Sequence, residues 1–442
     1  MNDSPLRTES LFKLTWPIFL QHASGNIVML VDFIFFAYIS DEVAATIGQV
    51  MPVTWLGTFL IPVFAGTGIA VASQYMGAKQ FHKVIPAYMM NLTFSLSMSL
   101  ILSGIFLIHR ADIGRWMGLN EMQNEVSTQY LTLMSIYFVV MAAVSSYNAI
   151  LSSRGLTNWI MIVSLLSNCL NVCLNALFLF VMHWGVWGIV GSTIIATLIS
   201  TMLAIYLVHG KLRIRFYLKG VWRDMMGVLR PMLRVGIPNA AEPFSYATQQ
   251  IILSTFIISM GVTAMASNSY AMRTLMVHIV LSFSLANGAQ ILMAHWMGAK
   301  RMDEINRLYW KIVGIAMSVA LVYMSIIWSN AKTIISIFTD DPLIKETAKH
   351  LLFISLFTEP ARVVNIISGY TLRSVGDTRY PMIIGMIFIW GILPFIFAWD
   401  ALWSLSIVNM WICFSADEII RCFINLRRWK SGKWRAMSLV RE

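Results

Sequence analysis

Charge is scarce in this chain. Only 12% of its 442 residues are Asp, Glu, Lys or Arg, against 58% hydrophobic, where a soluble domain carries about a quarter charged residues. With a mean hydropathy of +0.70, there is too little polar surface to cover a fold in water, which excludes a soluble globular protein. Cysteine is equally scarce. Cys169, Cys173, Cys413 and Cys422 all fall in apolar segments, and no His or acid completes a ligand set around them, which argues against a disulfide framework or a zinc site. The acid clusters that a Mg2+-dependent membrane enzyme needs are missing too, since Asp340-Asp341 is an isolated pair. An enzyme is therefore not expected, and neither is a cofactor. No cleavable leader is evident, because the polar start from Met1 to Lys13 runs straight into a full-length apolar segment.

What the chain does have is long apolar runs. Twelve are expected to cross a bilayer as helices, each about twenty residues or longer, which spans roughly 30 Å. They cover 14–39, 46–74, 87–108, 128–151, 158–182 and 186–208, then 235–260, 268–296, 308–328, 348–372, 380–398 and 401–426. Lys and Arg concentrate in every second loop and at the C-terminal end: Lys79 and Lys83, Arg154, the stretch Lys211 to Arg234 including Lys219, Lys300 to Lys311, Arg373 and Arg379, and Arg427 to Arg441. The opposite loops, among them Asp41-Glu42, are acidic or balanced. This asymmetry puts both termini in the cytoplasm of a multi-pass protein of the cell (inner) membrane. It also absorbs the formal net charge of +11 and leaves no case for nucleic acid.

One short stretch occurs twice. Tyr75-Met76-Gly77-Ala78-Lys79 closes one apolar run and Trp296-Met297-Gly298-Ala299-Lys300 closes another, an offset of 221 residues. The same offset superposes Pro17 on Pro238, Ala45 on Ala266, and Gly155-Leu156-Thr157 on Gly376-Asp377-Thr378. The chain thus reads as two copies of a six-helix unit. Six is even, so both copies enter the membrane in the same direction, and the lobes are expected to be related by a pseudo-two-fold along the membrane normal. The expected parts are an N-terminal tail (1–13), an N-lobe (14–208), a basic linker (209–234), a C-lobe (235–426) and a basic tail (427–442). A duplication around a central cleft is the build of an alternating-access transporter.

Ionisable groups at bilayer depth are costly and so are functional candidates. Asp32 lies in the first span, on a face with Gln21, Gly25 and Val28; the alternative is a helix cap at the outer interface. Glu242 follows Pro238 and precedes Pro243, where freed carbonyls and a carboxylate suit Na+ or a proton; Tyr246 and Gln249 extend its stripe. The alternative is an acid favoured by the helix dipole. Ser164, Asn168, Asn171 and Asn175 share one face of the fifth span, as an ion site or as interhelical glue. Glu359 and Arg362, three residues apart, suggest an ion pair. Arg273, one turn from Tyr270, suggests a tether between lobes or a snorkelling cation. His22, His278 and His295 read as packing residues. The 30 Met, 16 Trp, 14 Tyr and 25 Phe could line a cavity for flat organic cations, though most face lipid or other helices. By the offset, Asp32 meets Leu253, Glu242 meets Gln21 and Glu359 meets Phe138, so the scaffold is repeated and its acids are not.

Val31-Asp32 in the first span, Gln74 before Gly77-Ala78, Gly236-Ile237-Pro238 with Glu242, and Leu372-Arg373 with Gly376-Asp377-Thr378, in this order within twelve spans, resemble the multidrug and toxic compound extrusion (MATE) transporters across essentially the whole chain. The resemblance implies an all-α antiporter that expels organic cations in exchange for H+ or Na+ by rocker-switch alternating access. It matches Asp32, Glu242, Asn171 and Asn175 to ion-site positions, in the branch with a glutamate in the seventh span. That branch also carries an acid where Arg362 stands here, and Glu359, one turn earlier, is the expected substitute. Coupling-ion candidates are accordingly Asp32, Glu242, Asn171, Asn175 and Glu359, with Na+ considered at Glu242 and Glu359. Substrate-contact candidates are Gln21, Glu242, Tyr246, Gln249, Tyr270 and Arg273. A monomer is expected, with small organic cations and the lipid bilayer as partners. The rival reading is a lipid-linked oligosaccharide flippase of the same superfamily, which would need a strongly cationic cavity.

Overall fold

Helices account for nearly every described residue. The computed structural model describes residues 10–217, 220–403 and 405–439, without the side chains of residues 10, 41, 221, 255 and 258. Residues 1–9 of the expected N-terminal tail, the Asp41 side chain, Lys219 and Arg441 therefore lie outside the described residues. The helices are α1 (Ser10–Ile39), α2 (Asp41–Gly77), α3 (Phe81–Trp116), α4 (Glu121–Ser153), α5 (Thr157–Ala176), α6 (Gly185–Ile205), α7 (Val221–Ser259), α8 (Val262–Gly298), α9 (Met302–Ser329), the short α10 (Ala331–Ile335), α11 (Pro342–Ser374), α12 (Arg379–Trp403) and α13 (Ile407–Lys430). Single π-turns, Leu177–Val181 and Tyr206–Lys211, extend α5 and α6.

The ends are written locally. Ser40 accepts from the Val43 amide at the start of α2. Asn120 and Gln123 form a capping box at α4, and Asp341 accepts from the Leu343 and Ile344 amides ahead of α11. Each satisfies amides that a helix start leaves unpaired.

The repeat seen in the residues is also a repeat of elements. α2 shifted by 221 residues gives both ends of α8, and α4 so shifted gives both ends of α11. After α2 and after α8 the chain turns on a lysine in the left-handed region, Lys79 at φ 57° and Lys300 at φ 58°. The Gln80 amide reaches the Tyr75 carbonyl at 2.9 Å, and the Arg301 amide reaches the Trp296 carbonyl at 2.9 Å.

Among the described residues, ten helices are long and apolar enough to cross a membrane. Of the twelve expected spans, α7 and α13 are not among these ten: Glu242, Gln249 and Gln250 make α7 less apolar, and α13 carries the charges of Asp417, Glu418 and Arg421. The basic linker also differs from expectation. It is helical from Val221 onward, with Met225, Val228, Met232 and Val235 buried at helical spacing, Arg223 ahead of them and Arg230 and Arg234 between them.

Two compact units divide the chain within α7, between Ala240 and Ala241. In the first, α4 packs on α2, α3 and α6, and α1 packs on α5. Its core includes Ile47, Ile61, Leu131, Phe138 and Ile189. The Phe138 ring lies against Gly57, where an added Cβ would meet it at 2.4 Å, so glycine there permits close approach of α2 and α4. In the second unit α11 packs on α8, α9 and α13, around Leu253, Leu275, Leu351, Ile396 and Met410.

Candidate functional site

Each unit holds a polar centre built on crossing helices. In the first unit α5 presents Asn171 and Asn175 one turn apart, toward α1 and α6. The Asn175 amide donates to Asp32 Oδ1 at 2.5 Å and to Asn171 Oδ1 at 3.3 Å, and its carbonyl accepts from the Ser192 hydroxyl. Asn171 donates to Thr193 Oγ1 at 3.0 Å. One turn earlier, Asn168 donates to Ser24 on α1 at 2.9 Å. Asn175 is wholly buried and Asp32 half-buried. Among the described residues no Lys, Arg or His lies within 4 Å of Asp32. Its negative charge has one amide donor and no cation to balance it, an arrangement suited to trading a proton or small cation for another positive group.

The second unit is more highly charged. Glu359 on α11 is wholly buried between two bases. His278 Nε2 of α8 lies 2.8 Å from its Oε2, and Arg362 Nη1 donates to its Oε1 at 2.6 Å. Arg362 reaches on to Glu418 of α13 at 3.4 Å, and Arg421 contacts Glu418 at 3.0 Å and Asp417 at 2.6 Å. Asn365 donates to the Glu418 carboxylate at 2.7 Å and accepts from Asn425 at 2.9 Å. Elsewhere in this unit Glu242 on α7 is held by the Arg373 guanidinium of α11.

These contacts correct several expectations. Glu242 is not a lone carboxylate, because Arg373, read as an inner-loop charge, ends α11 and reaches it. Glu359 forms the expected pair with Arg362 but is also closed by His278, so His278 is more than a packing residue. Each acid considered for Na+ thus already carries a guanidinium, Arg373 on Glu242 and Arg362 on Glu359. Among the described residues no three His, Cys, Asp or Glu side chains form a metal cluster, and the four cysteines are free thiols.

The substrate-contact candidates scatter. Tyr246 is 51% exposed. Gln249 is buried and donates to the Ile389 carbonyl at 2.6 Å, so its amide ties α7 to α12. Tyr270 stacks on Phe338 at 5.2 Å, Arg273 is exposed, and Gln21, in the first unit, is half-buried with its carbonyl accepting from Ser24.

Sequence reasoning passed over Ser192, Thr193, Asn365, Asp417, Glu418, Arg421 and Asn425. A signal was present. Residues 359, 362 and 365 recur every three along α11, and 417, 418, 421 and 425 share a face of α13 within an expected span.

The profile of the MatE family matches residues 17–177 and again 238–399, two copies starting at the offset of the repeat. Over 438 residues the chain is 29% identical to the uncharacterized transporter YisQ of Bacillus subtilis, covering 97% of this chain and 95% of that one. It is 24% identical over 443 residues to the probable multidrug resistance protein NorM of Thermotoga maritima, covering 98% and 94%. Among solved structures, MATE in complex with MaL6 superposes with a TM-score of 0.86 at 19% identity, over 97% of this chain and 96% of that one. A multidrug resistance MATE family transporter of the MOP superfamily, in an outward-facing conformation, gives 0.84 at 18% identity, over 97% and 96%. At such identities these structures speak for the fold alone, an all-α polytopic membrane architecture. With its profile matched twice over most of its length, the chain belongs to the MatE family of membrane transporters.

Proposed function

We propose that this protein is a proton-coupled exporter of organic cations in which Asp32 is the coupling site. The observation that carries the reading is the isolation of Asp32, a half-buried carboxylate in the first span with one amide donor and no neighbouring cation. When Asp32 holds a proton the centre is neutral and a cationic cargo leaves; when the proton dissociates the carboxylate attracts the next one. Asn175 and Asn171, with Ser192 and Thr193, orient the carboxylate between α1, α5 and α6. The two units rock between an inward and an outward state, and the protein works in the cell membrane with both ends on the cytoplasmic side. Relatives named as multidrug resistance proteins support the cargo class. Protons are favoured over Na+ because both acids considered for Na+ are already paired with arginine. The flippase reading is the less favoured one, since Arg362, Arg373 and Arg421 are each matched by a carboxylate, and a single exposed Arg273 is not the strongly cationic cavity that a pyrophosphate needs.

The test uses the purified protein in liposomes with ethidium as cargo and separately imposed pH and Na+ gradients. A pH gradient should drive ethidium movement, a Na+ gradient should not, and Asp32→Asn should reduce pH-driven transport at least tenfold. Full transport by Asp32→Asn would remove Asp32 from this role.

A further inference from the structure

The repeat offset sets Gly57 against His278 and Phe138 against Glu359. In the first unit the phenyl ring of Phe138 fills the space over Gly57. In the second unit the same two backbone positions hold an imidazole and a carboxylate in contact at 2.8 Å, 3% and 0% exposed. The scaffold therefore closes equally well at this crossing with a hydrocarbon pair. The converse holds at the other centre: Asp32, Asn171, Asn175 and Ser192 correspond to Leu253, Ile392, Ile396 and Cys413, all in the apolar core of the second unit. The two polar centres thus lie at different places on a common frame. Burying an acid and a base where Gly and Phe suffice is costly, so folding alone does not account for the pair.

The charges around the pair do not cancel. From α11 come Glu359 and Arg362, and from α13 Asp417, Glu418 and Arg421; from α7 come Tyr246, within electrostatic reach of Glu359 and both arginines, and Glu242, near Arg421 but balanced by Arg373. From α9 comes Tyr323, whose ring lies 5.3 Å from the imidazole and whose hydroxyl donates to the Thr274 carbonyl. On α8 itself the nearest ionisable side chain in sequence, Arg273, is exposed. Three carboxylates meet two guanidiniums, which leaves one negative charge in excess with His278 neutral. His278 Nδ1 and Nε2 and Glu359 Oε2 are all buried without a hydrogen-bond partner among the described residues, although Nε2 and Oε2 lie only 2.8 Å apart, so the pair has unsatisfied atoms on which a proton can be held.

We propose that His278 and Glu359 form a second proton-binding site, in the second unit and separate from Asp32. One proton held by the pair balances the α8–α11–α13 cluster, and its loss restores one negative charge there. The protein then carries two exchangeable protons, one in each unit. This inference does not depend on which cargo is carried.

The test counts protons taken up by the purified protein between about pH 8 and pH 5, the range in which histidine titrates. Two double variants are compared with the native chain: the conservative His278→Gln with Glu359→Gln, and the transplant His278→Gly with Glu359→Phe, which installs the pair of the first unit. Each should take up one proton fewer. Asp32→Asn should lose a different proton, so that combining it with either double variant removes two. An unchanged count in a folded double variant overturns the proposal, whatever Asp32→Asn does. Should neither double variant fold, the native chain decides by histidine NMR together with the infrared carboxyl band. A His278 resonance or a Glu359 carboxyl band that titrates supports the site, and both remaining constant overturns it. An effect of Asp32→Asn on ethidium transport with no change in the His278–Glu359 count would retain the cargo reading and discard this one.

Discussion

Asn175 donates to Asp32 across 2.5 Å, joining α5 to α1 through two residues whose counterparts in the second unit, Ile396 and Leu253, are both buried in apolar core. The amide fills two positions at once, since its carbonyl accepts from Ser192. Asn175→Ala removes both contacts and leaves a wholly buried hydroxyl facing a void. The expected cost is about 1–3 kcal/mol of stability, with pH-driven ethidium transport reduced because the Asp32 carboxylate loses its orientation. Thermal unfolding and the liposome assay measure the two effects separately. Native stability in the variant would mean that the short contact contributes nothing.

Glu242 and Arg373 are expected to behave as a unit. Arg373→Ala strands a carboxylate that is only partly exposed, and Glu242→Gln strands the guanidinium, so the two single changes should sum to a larger loss of stability than the double change produces. A double-mutant cycle should give a coupling of about 1–3 kcal/mol, below the value for a fully buried pair because both side chains keep some contact with solvent. Additivity within error would show that the pair is a surface contact of no consequence.

The lysines that follow α2 and α8 occupy a backbone region that favours glycine. A side chain there costs about 1–2 kcal/mol, and glycine gives back about 0.5–1 kcal/mol through its larger unfolded-state entropy. Lys79→Gly should therefore stabilise by roughly 0.5–1 kcal/mol, and Lys300→Gly should gain less, because Lys300 makes a further contact although the two turns share their dihedrals and hydrogen bonds. A loss of stability in either variant, read from denaturant unfolding, would mean that the lysine side chain makes a compensating contact.

The C-terminal segment docks on the second unit. Trp429 stacks between Tyr309 and Trp434, with ring centroids at 3.8 and 4.6 Å, and Arg428 binds Asp377 at 2.8 Å. The Met437 carbonyl lies over Gly376, whose φ of 96° already excludes most side chains. Gly376→Ala places a methyl group into that carbonyl and should cost about 3 kcal/mol. The tail beyond Trp434 should become sensitive to protease. A tail that stays protected would show that the α11–α12 turn can move aside without releasing it.

Much of the fold is legible along the chain. The twelve long helices follow from apolar runs bounded by Ser40, Asn120, Asp341 and their like, and the offset of 221 residues reappears in both ends of α8 and α11. The candidate site is legible only in part. Asp32 with Asn175 follows from polar residues spaced along single helices. Glu242 with Arg373 does not, because Arg373 sits where a loop charge is expected and its partner lies on another helix, 131 residues away. Asp417, Glu418 and Arg421 were hidden by reading 401–426 as one more apolar span.

The order of residues by itself determined the membrane class, the duplication and the asymmetry of acids between the copies. Hydropathy, Lys and Arg placement and residue matches are sums over neighbours in the chain, and need no knowledge of what packs on what. Only the tertiary structure decided which charges cancel and which stand alone. A buried charge is defined by the side chains that distant helices bring within a few ångströms of it, and spacing along one helix does not contain them.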